Sequence, residues 1–246
     1  MRALGPGELP PSIRMGDQEY RLACTVKHDF FAATGFYEDA AGRRVVLKMG
    51  RTQDFAGVPM AWVGRWLCRR EQRFYARLAD LPNVPRVVGT LGETGLVLEH
   101  VEGKPLAHGG PIGDEFFPEL ERLFTELHRR HLAYVDANKT QNILVGADGR
   151  PHLIDFQISF DRDELGDNWL GRAVVAHLQG SDRYHLLKHK RRLRPDQLTE
   201  DDRHRLEHRS LPLRLHRFMT KPYFKLRRRT FQRLRETGRL LPEGSK

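Results

Sequence analysis

Cysteine is scarce: Cys24 and Cys68 are the only two in 246 residues. Two isolated thiols offer neither a disulfide framework nor metal-ligand spacing, and a reducing compartment is the simpler setting. Long apolar runs are lacking as well. No stretch of about 18 apolar residues occurs, so nothing reads as a membrane-spanning helix. The opening MRALGPGELPPSIRMGD lacks the apolar segment of a secretory leader. Internal repeats and low-complexity tracts are missing. So are helix-turn-helix, zinc-finger and RNP-type signatures, which leaves nucleic-acid binding resting on charge alone.

What is present fits a soluble globular chain with a real core, 39% hydrophobic and 30% charged. That balance excludes a disordered chain, a collagen-like fibre and a disulfide-stapled miniprotein. At 28.5 kDa there is room for one large domain or two modest lobes. Lys+Arg number 42 against 32 Asp+Glu, a net charge of +10. Residues 1–160 hold 20 of each sign, whereas residues 161–246 hold 22 basic and 12 acidic. A neutral body with a basic tail region points to an anionic counterpart, or to a solvated helical surface.

Residues 1–17 read as a flexible lead-in rich in Gly and Pro. From Tyr20 to Met49 three strands alternate with turns, YRLACTV, FAATGFY and RVVLKM. A helix follows, with Leu67, Phe74, Tyr75 and Leu78 at helical spacing, and Pro82 and Pro85 end it. RVVGTL and GLVLE add two strands, for a five-stranded sheet with one inserted helix. VEGKPLAHGGPIGD reads as a linker. A second helix spans about Glu115 to His131, its apolar face made by Phe116, Phe117, Leu120, Leu123, Phe124 and Leu127. ILV and HLI make a short hairpin, and beyond Phe160 the chain reads as mostly helical. Thr199 and Asp202 fit a capping box; Pro222 and Gly238 suit the start and end of a last helix.

A few polar residues sit where the pattern favours something else. Lys48 ends the apolar strand VVLKM, and Glu71 shares the apolar face of the first helix. A carboxylate there either reaches the edge of that face or needs a partner, and Lys48 is the natural one. In YVDANKTQN, Asp136 and Asn142 fall in the loop between the second helix and the hairpin, and Asp155 ends the strand HLI. Two carboxylates and an amide at one edge of a hairpin form an oxygen ligand set that suits Mg²⁺.

The order Lys48, Glu71, the Asp136–Asn142 loop and Asp155-Phe156-Gln157 resembles the protein-kinase-like superfamily, over roughly Tyr20 to Phe160. The resemblance is nearer to the bacterial branch of RIO-type and lipopolysaccharide-core (Kdo/heptose) sugar kinases than to typical eukaryotic protein kinases. It implies an α+β, two-lobed protein-kinase-like fold. Residues 18–102 would form a small five-stranded N-lobe with one helix, and 103–246 a short, mainly helical C-lobe. It also implies an ATP- and Mg²⁺-dependent phosphotransferase. Lys48 would hold the α/β-phosphates and Glu71 would orient it. Asn142 and Asp155 would bind Mg²⁺, and Asp136 would take the proton of the acceptor hydroxyl. Lys139 would approach the γ-phosphate, and the backbone at Glu99 and Val101 would meet adenine. The acceptor would be a lipopolysaccharide-core sugar or a protein Ser/Thr.

The chain also departs from that pattern. Tyr134-Val135-Asp136 lacks the His and Arg of the family's catalytic loop, and Asn142 follows Asp136 by six residues rather than five. Phe156 is followed by Gln157 rather than Gly, and VKHDFFAATG has no Gly-rich motif. A pseudokinase-type nucleotide-binding scaffold therefore stands as an alternative, with a basic nucleic-acid-binding protein behind it. Between Lys221 and Arg239, Phe224, Phe231 and Leu234 recur at helical spacing among Lys225, Arg228, Arg229 and Arg233. Such basic C-terminal helices suit docking onto the C-lobe, or an anionic membrane surface. Together these readings place the chain in the cytoplasm, with the inner face of the inner membrane as an optional peripheral contact.

Overall fold

The computed structural model describes residues 2–5, 7–54, 59–108, 111–164, 166 and 168–207. The N-terminal part is an antiparallel sheet of strands β1 (Ser12–Met15), β2 (Gln18–His28), β3 (Ala32–Glu38), β4 (Arg44–Gly50), β5 (Val87–Leu91) and β6 (Gly95–Glu99). Their order across the sheet is β1-β2-β3-β4-β6-β5. Helix α1 (Ala61–Arg77) enters between β4 and β5. The sheet thus has six strands where five were expected. The extra one, β1, lies inside the segment read as a flexible lead-in. Leu9 and Ile13 are buried there against Tyr20, Ala33 and Tyr37, and that apolar contact orders the segment despite its Gly and Pro content.

Glycine sets how closely α1 approaches the sheet. A Cβ on Gly64 would lie 2.1 Å from the carbonyl oxygen of Arg51, and one on Gly50 would lie 3.0 Å from that of Gly64. Backbone meets backbone here, which only glycine permits. The inner face of α1 buries Cys68, Glu71, Phe74 and Tyr75.

The segment read as a linker contains strand β7 (Gly103–Pro105), which pairs with β9 (Ile143–Gly146); β9 pairs in turn with β10 (Pro151–Leu153). Helix α2 (Phe116–Arg129) buries all six of its expected apolar residues. At roughly 1.5–3 kcal/mol for each buried large side chain, this stripe is a main support of the helical part. A two-stranded pair joins β8 (Leu132–Ala133) to β11 (Phe160–Asp161). Helix α3 (Trp169–Leu193) follows, its N-cap made by Asn168 Oδ1 accepting from Gly171 N at 2.8 Å. Before α4 (Glu200–Glu207), Thr199 Oγ1 accepts from Asp202 N at 3.1 Å and Asp202 accepts from Thr199 N at 3.2 Å, the expected capping box. Pro222, Gly238 and the basic Lys221–Arg239 segment lie outside the described residues.

Candidate active site

The site forms where β4, α1 and the turn after β10 meet. Lys48 Nζ lies 2.8 Å from Glu71 Oε1 and 2.6 Å from Asp155 Oδ1. The Lys48 side chain is only 13% exposed. Burial disfavours its charge, but the two carboxylates outweigh that and hold its pKa above the ordinary lysine value. Burial likewise pushes Asp155 up, yet Lys48, with Lys139 and Lys27 behind it, pulls it below the ordinary carboxylate range. Glu71 is raised by its own burial, against the pull of Lys48. The Lys48–Glu71 pairing expected from the pattern is thus present, and Glu71 faces inward rather than to water.

Asp155 lies two residues past the end of β10 rather than closing the strand. It adopts φ +63°, a left-handed conformation that costs a non-glycine residue roughly 1–3 kcal/mol. Its neighbours secure it. Asp155 N donates to the Tyr75 hydroxyl at 3.2 Å, and Ile154 N donates to the Asn142 carbonyl at 3.0 Å. The ring of Phe156 packs edge-on against Tyr75 and Tyr134, with centroids 5.1 and 5.2 Å away.

In the loop before β9, Asp136 Oδ2 accepts from Asn142 Nδ2 at 2.9 Å and from Lys139 Nζ at 2.6 Å. The Tyr134 hydroxyl donates to the carbonyl of Ile154 and contacts that of Asn142 at 3.2 Å. Tyr134 therefore joins the Asp136 loop to the Asp155 turn. Val135 sits at φ +68°, a genuine outlier for a β-branched residue. The compensation comes from Asp182 of α3, which is fully buried. Asp182 accepts from Tyr134 N at 2.7 Å and from Val135 N at 2.8 Å, with His128 Nε2 at 3.3 Å. Hydrogen bonds to a buried carboxylate contribute about 1.5–3 kcal/mol each, enough to offset the strain.

The tertiary structure reveals other supports that the local pattern hides. Asp182 lies in QGSDRY, which reads as an ordinary solvated helical turn. Arg70, beside Glu71, is 5% exposed and ties α1 to the chain beyond Asp155. Its guanidinium donates to Glu164 at 2.8 and 2.9 Å, to the Gln157 carbonyl at 2.8 Å and to the Ser159 carbonyl. Arg51, nearly fully buried, donates to the Phe30 carbonyl at 2.8 Å and lies 4.0 Å from the Phe30 ring centroid, which holds the β2–β3 turn. That turn has no Gly-rich run; Asp29 Oδ1 shapes it by accepting from Phe31 N and Ala32 N. At the end of β6, Glu99 N donates to the Arg86 carbonyl at 2.9 Å, so that amide is already engaged; Val101 follows, half-buried.

Among the described residues no group of three or more His, Cys, Asp or Glu side chains forms a metal cage. Asn142 commits its amide nitrogen to Asp136, which leaves its amide oxygen as a donor, and the Asp155 carboxylate stands in the turn that Ile154 N ties to the Asn142 carbonyl. Such a sparse set fits Mg²⁺ held partly by a substrate's phosphates, not a cation enclosed by protein alone.

No protein-family model matches the chain. Among curated proteins it is 33% identical over 159 residues to the probable SapB synthase of Streptomyces coelicolor, a match covering 55% of this chain. The chain spans only 16% of that protein's length. Among solved structures it is similar to the Rio2 kinase of Chaetomium thermophilum, with TM-score 0.52 and 16% identity over 70% of this chain and 58% of that one. The ADP/Mg²⁺-phosphoaspartate complex of Rio2 gives TM-score 0.54 at 17% identity, over 72% of this chain and 57% of that one. The BubR1 kinase domain gives 0.51 at 16%, covering 76% and 66%. The chain has a protein-kinase-like, α+β fold.

Proposed function

We propose that this protein is an ATP- and Mg²⁺-dependent phosphotransferase that moves the γ-phosphoryl group of ATP to a hydroxyl. One observation carries the reading: the Lys48 ammonium is bridged by Glu71 and Asp155, residues from three separate segments converging on one buried cation. Phosphoryl transfer asks a protein mainly for positioning and charge neutralisation. In this reading residues 18–102 form the ATP-binding lobe, and residues 103–246 carry the catalytic loop and the acceptor side.

Lys48, oriented by Glu71, holds the α/β-phosphates. The Glu99 carbonyl and the Val101 backbone meet adenine. Asp155 and Asn142 would hold Mg²⁺, which when bound would neutralise phosphate charge. Asp136 accepts the proton as the acceptor oxygen bonds to γ-phosphorus and the bond to the β–γ bridging oxygen breaks, releasing ADP. Lys139, now paired with Asp136, steadies the transferring group. The acceptor is a lipopolysaccharide-core sugar or a protein Ser/Thr, in line with the bacterial sugar-kinase and RIO-type resemblance.

The test is ATP binding and γ-phosphate transfer with Mg²⁺ by wild type and Asp136→Ala. Transfer should fall by roughly 10²–10⁴-fold with ATP affinity retained. A second reading is a pseudokinase scaffold, favoured by the direct Lys48–Asp155 contact at 2.6 Å, which closes the site on itself. ATP binding with no transfer to any acceptor by wild type would select it.

A further inference from the structure

Helix α1 has a second face, and the phosphotransfer reading does not use it. Trp62, Trp66, Arg69 and Arg73 recur at spacings of four, three and four, so they form one stripe along the helix. All four are exposed, Trp62 by 58% and Trp66 by 53%. With Arg65 and Gln72 they line a hollow open to solvent. The chain's third tryptophan, Trp169, is 75% exposed. Tryptophan is normally among the more buried residues, so three surface indoles out of three need a reason. Ile158, 48% exposed, lies beside the same helix, because the carbonyls flanking it both accept from Arg70.

Charge narrows the choice of partner. The single acid of α1, Glu71, is turned inward to Lys48, and the outer face carries only arginines among its charged residues. Arg65 and Arg73 have loose ion pairs, at 3.3 Å to Glu93 and 3.7 Å to Glu164. A second copy of this face would repel it. So would residues 208–246, which hold 12 Lys+Arg against 2 Asp+Glu. The counterpart is therefore anionic, and it must also welcome exposed indoles. Indoles favour the boundary where an apolar phase meets water, and arginine pairs with phosphate there.

We propose that the outer face of α1 is a contact surface for an anionic phospholipid membrane, with Trp62 and Trp66 seated in the interface and Arg65, Arg69 and Arg73 on headgroup phosphates. This contact is independent of phosphoryl transfer and of any contribution from the basic C-terminal segment.

The test uses the full chain and vesicles of phosphatidylcholine, with or without one quarter phosphatidylglycerol. Trp169→Phe leaves Trp62 and Trp66 as the only indoles. In that variant their emission should shift to the blue and be quenched by shallow brominated acyl chains, only when phosphatidylglycerol is present. Trp62→Ala/Trp66→Ala should lower vesicle partitioning at least tenfold with an unchanged melting temperature, and each Arg→Gln about fivefold. Vesicle-bound protein with unquenched Trp62 and Trp66 would overturn the proposal, since the C-terminal segment alone would then be binding. Equal binding to pure phosphatidylcholine, or none to either vesicle, would overturn it too. Retention on poly-glutamate lost in the double Trp variant, with no vesicle binding, would assign the face to an acidic polypeptide instead.

Discussion

The sheet side and the helical side of the site hold their key residues by different means. On the sheet side, Lys48 and Glu71 neutralise one another across a tight β4–α1 contact. On the helical side, the Asp136 loop is held by backbone amides donated to one buried carboxylate, Asp182. An ion pair tolerates small displacements, because Coulomb attraction falls off slowly with distance. Backbone hydrogen bonds to a carboxylate fail abruptly with geometry. The helical side should therefore be the more brittle of the two.

The sharpest break is Asp182→Ala. It would leave the amides of Tyr134 and Val135 buried without an acceptor while Val135 remains strained. We expect a loss of roughly 3–5 kcal/mol, read as a fall in the urea midpoint; a midpoint within experimental scatter of wild type would refute the brittle-loop account. Next comes Gly64→Ala, which forces α1 off the Arg51 carbonyl. About 1–3 kcal/mol should be lost, and Glu71 should be drawn away from Lys48. On the proposed phosphotransfer, activity should therefore drop further than the stability loss alone explains, which single-turnover kinetics on folded protein would show.

Glu71→Gln is expected to be milder, because Asp155 still faces the Lys48 ammonium. A destabilisation of about 1 kcal/mol or less would fit and, on the proposed function, so would a weakened hold on ATP. A collapse as large as that of Asp182→Ala would reverse the ranking of the two sides.

The smallest effect concerns the network between the end of α1 and α2. Arg130 pairs with Asp80 at 2.6 Å and with Glu126 at 2.8 Å. Its hydrogen bond holds Asp80 down at about 2, and Arg129 with Arg130 holds Glu126 at about 2. Both carboxyls are depressed in the folded state, so the stability they add is present above about pH 4 and is lost as the pH falls towards 2. Melting temperature followed over that window should decline, and Arg130→Met should flatten the decline.

Much of the architecture was legible from the chain. The apolar stripe of α2 and the strands around Lys48 follow from periodicity, because each element is half-buried and shows its inner face as a repeat. The Thr199–Asp202 cap was readable because its partners are three residues apart. β1 and β7 were not, since each is a few residues long and lies among Gly and Pro; β7 pairs with the distant β9, and β1, though paired locally with β2, is buried against Ala33 and Tyr37 further along the chain.

Lys48, Glu71, Asp136, Asn142 and Asp155 could be selected from the sequence because a charged or amide side chain in an apolar strand, on a helix core face or at a hairpin edge breaks the local pattern. Their supports could not. Asp182, Arg70 and Gly64 lie in helical segments where an acid, a base or a small residue is unremarkable. Only the folded chain shows two amides meeting Asp182, two carbonyls and a carboxylate meeting Arg70, and a carbonyl oxygen where a Gly64 side chain would be. The outward tryptophans follow the same division. The sequence determined that Trp62 and Trp66 share one helical stripe, but the inward pull of Glu71, Phe74 and Tyr75 decided that this stripe faces solvent. Residue type and spacing are local properties, whereas burial and hydrogen-bond partners depend on which distant segments are brought together.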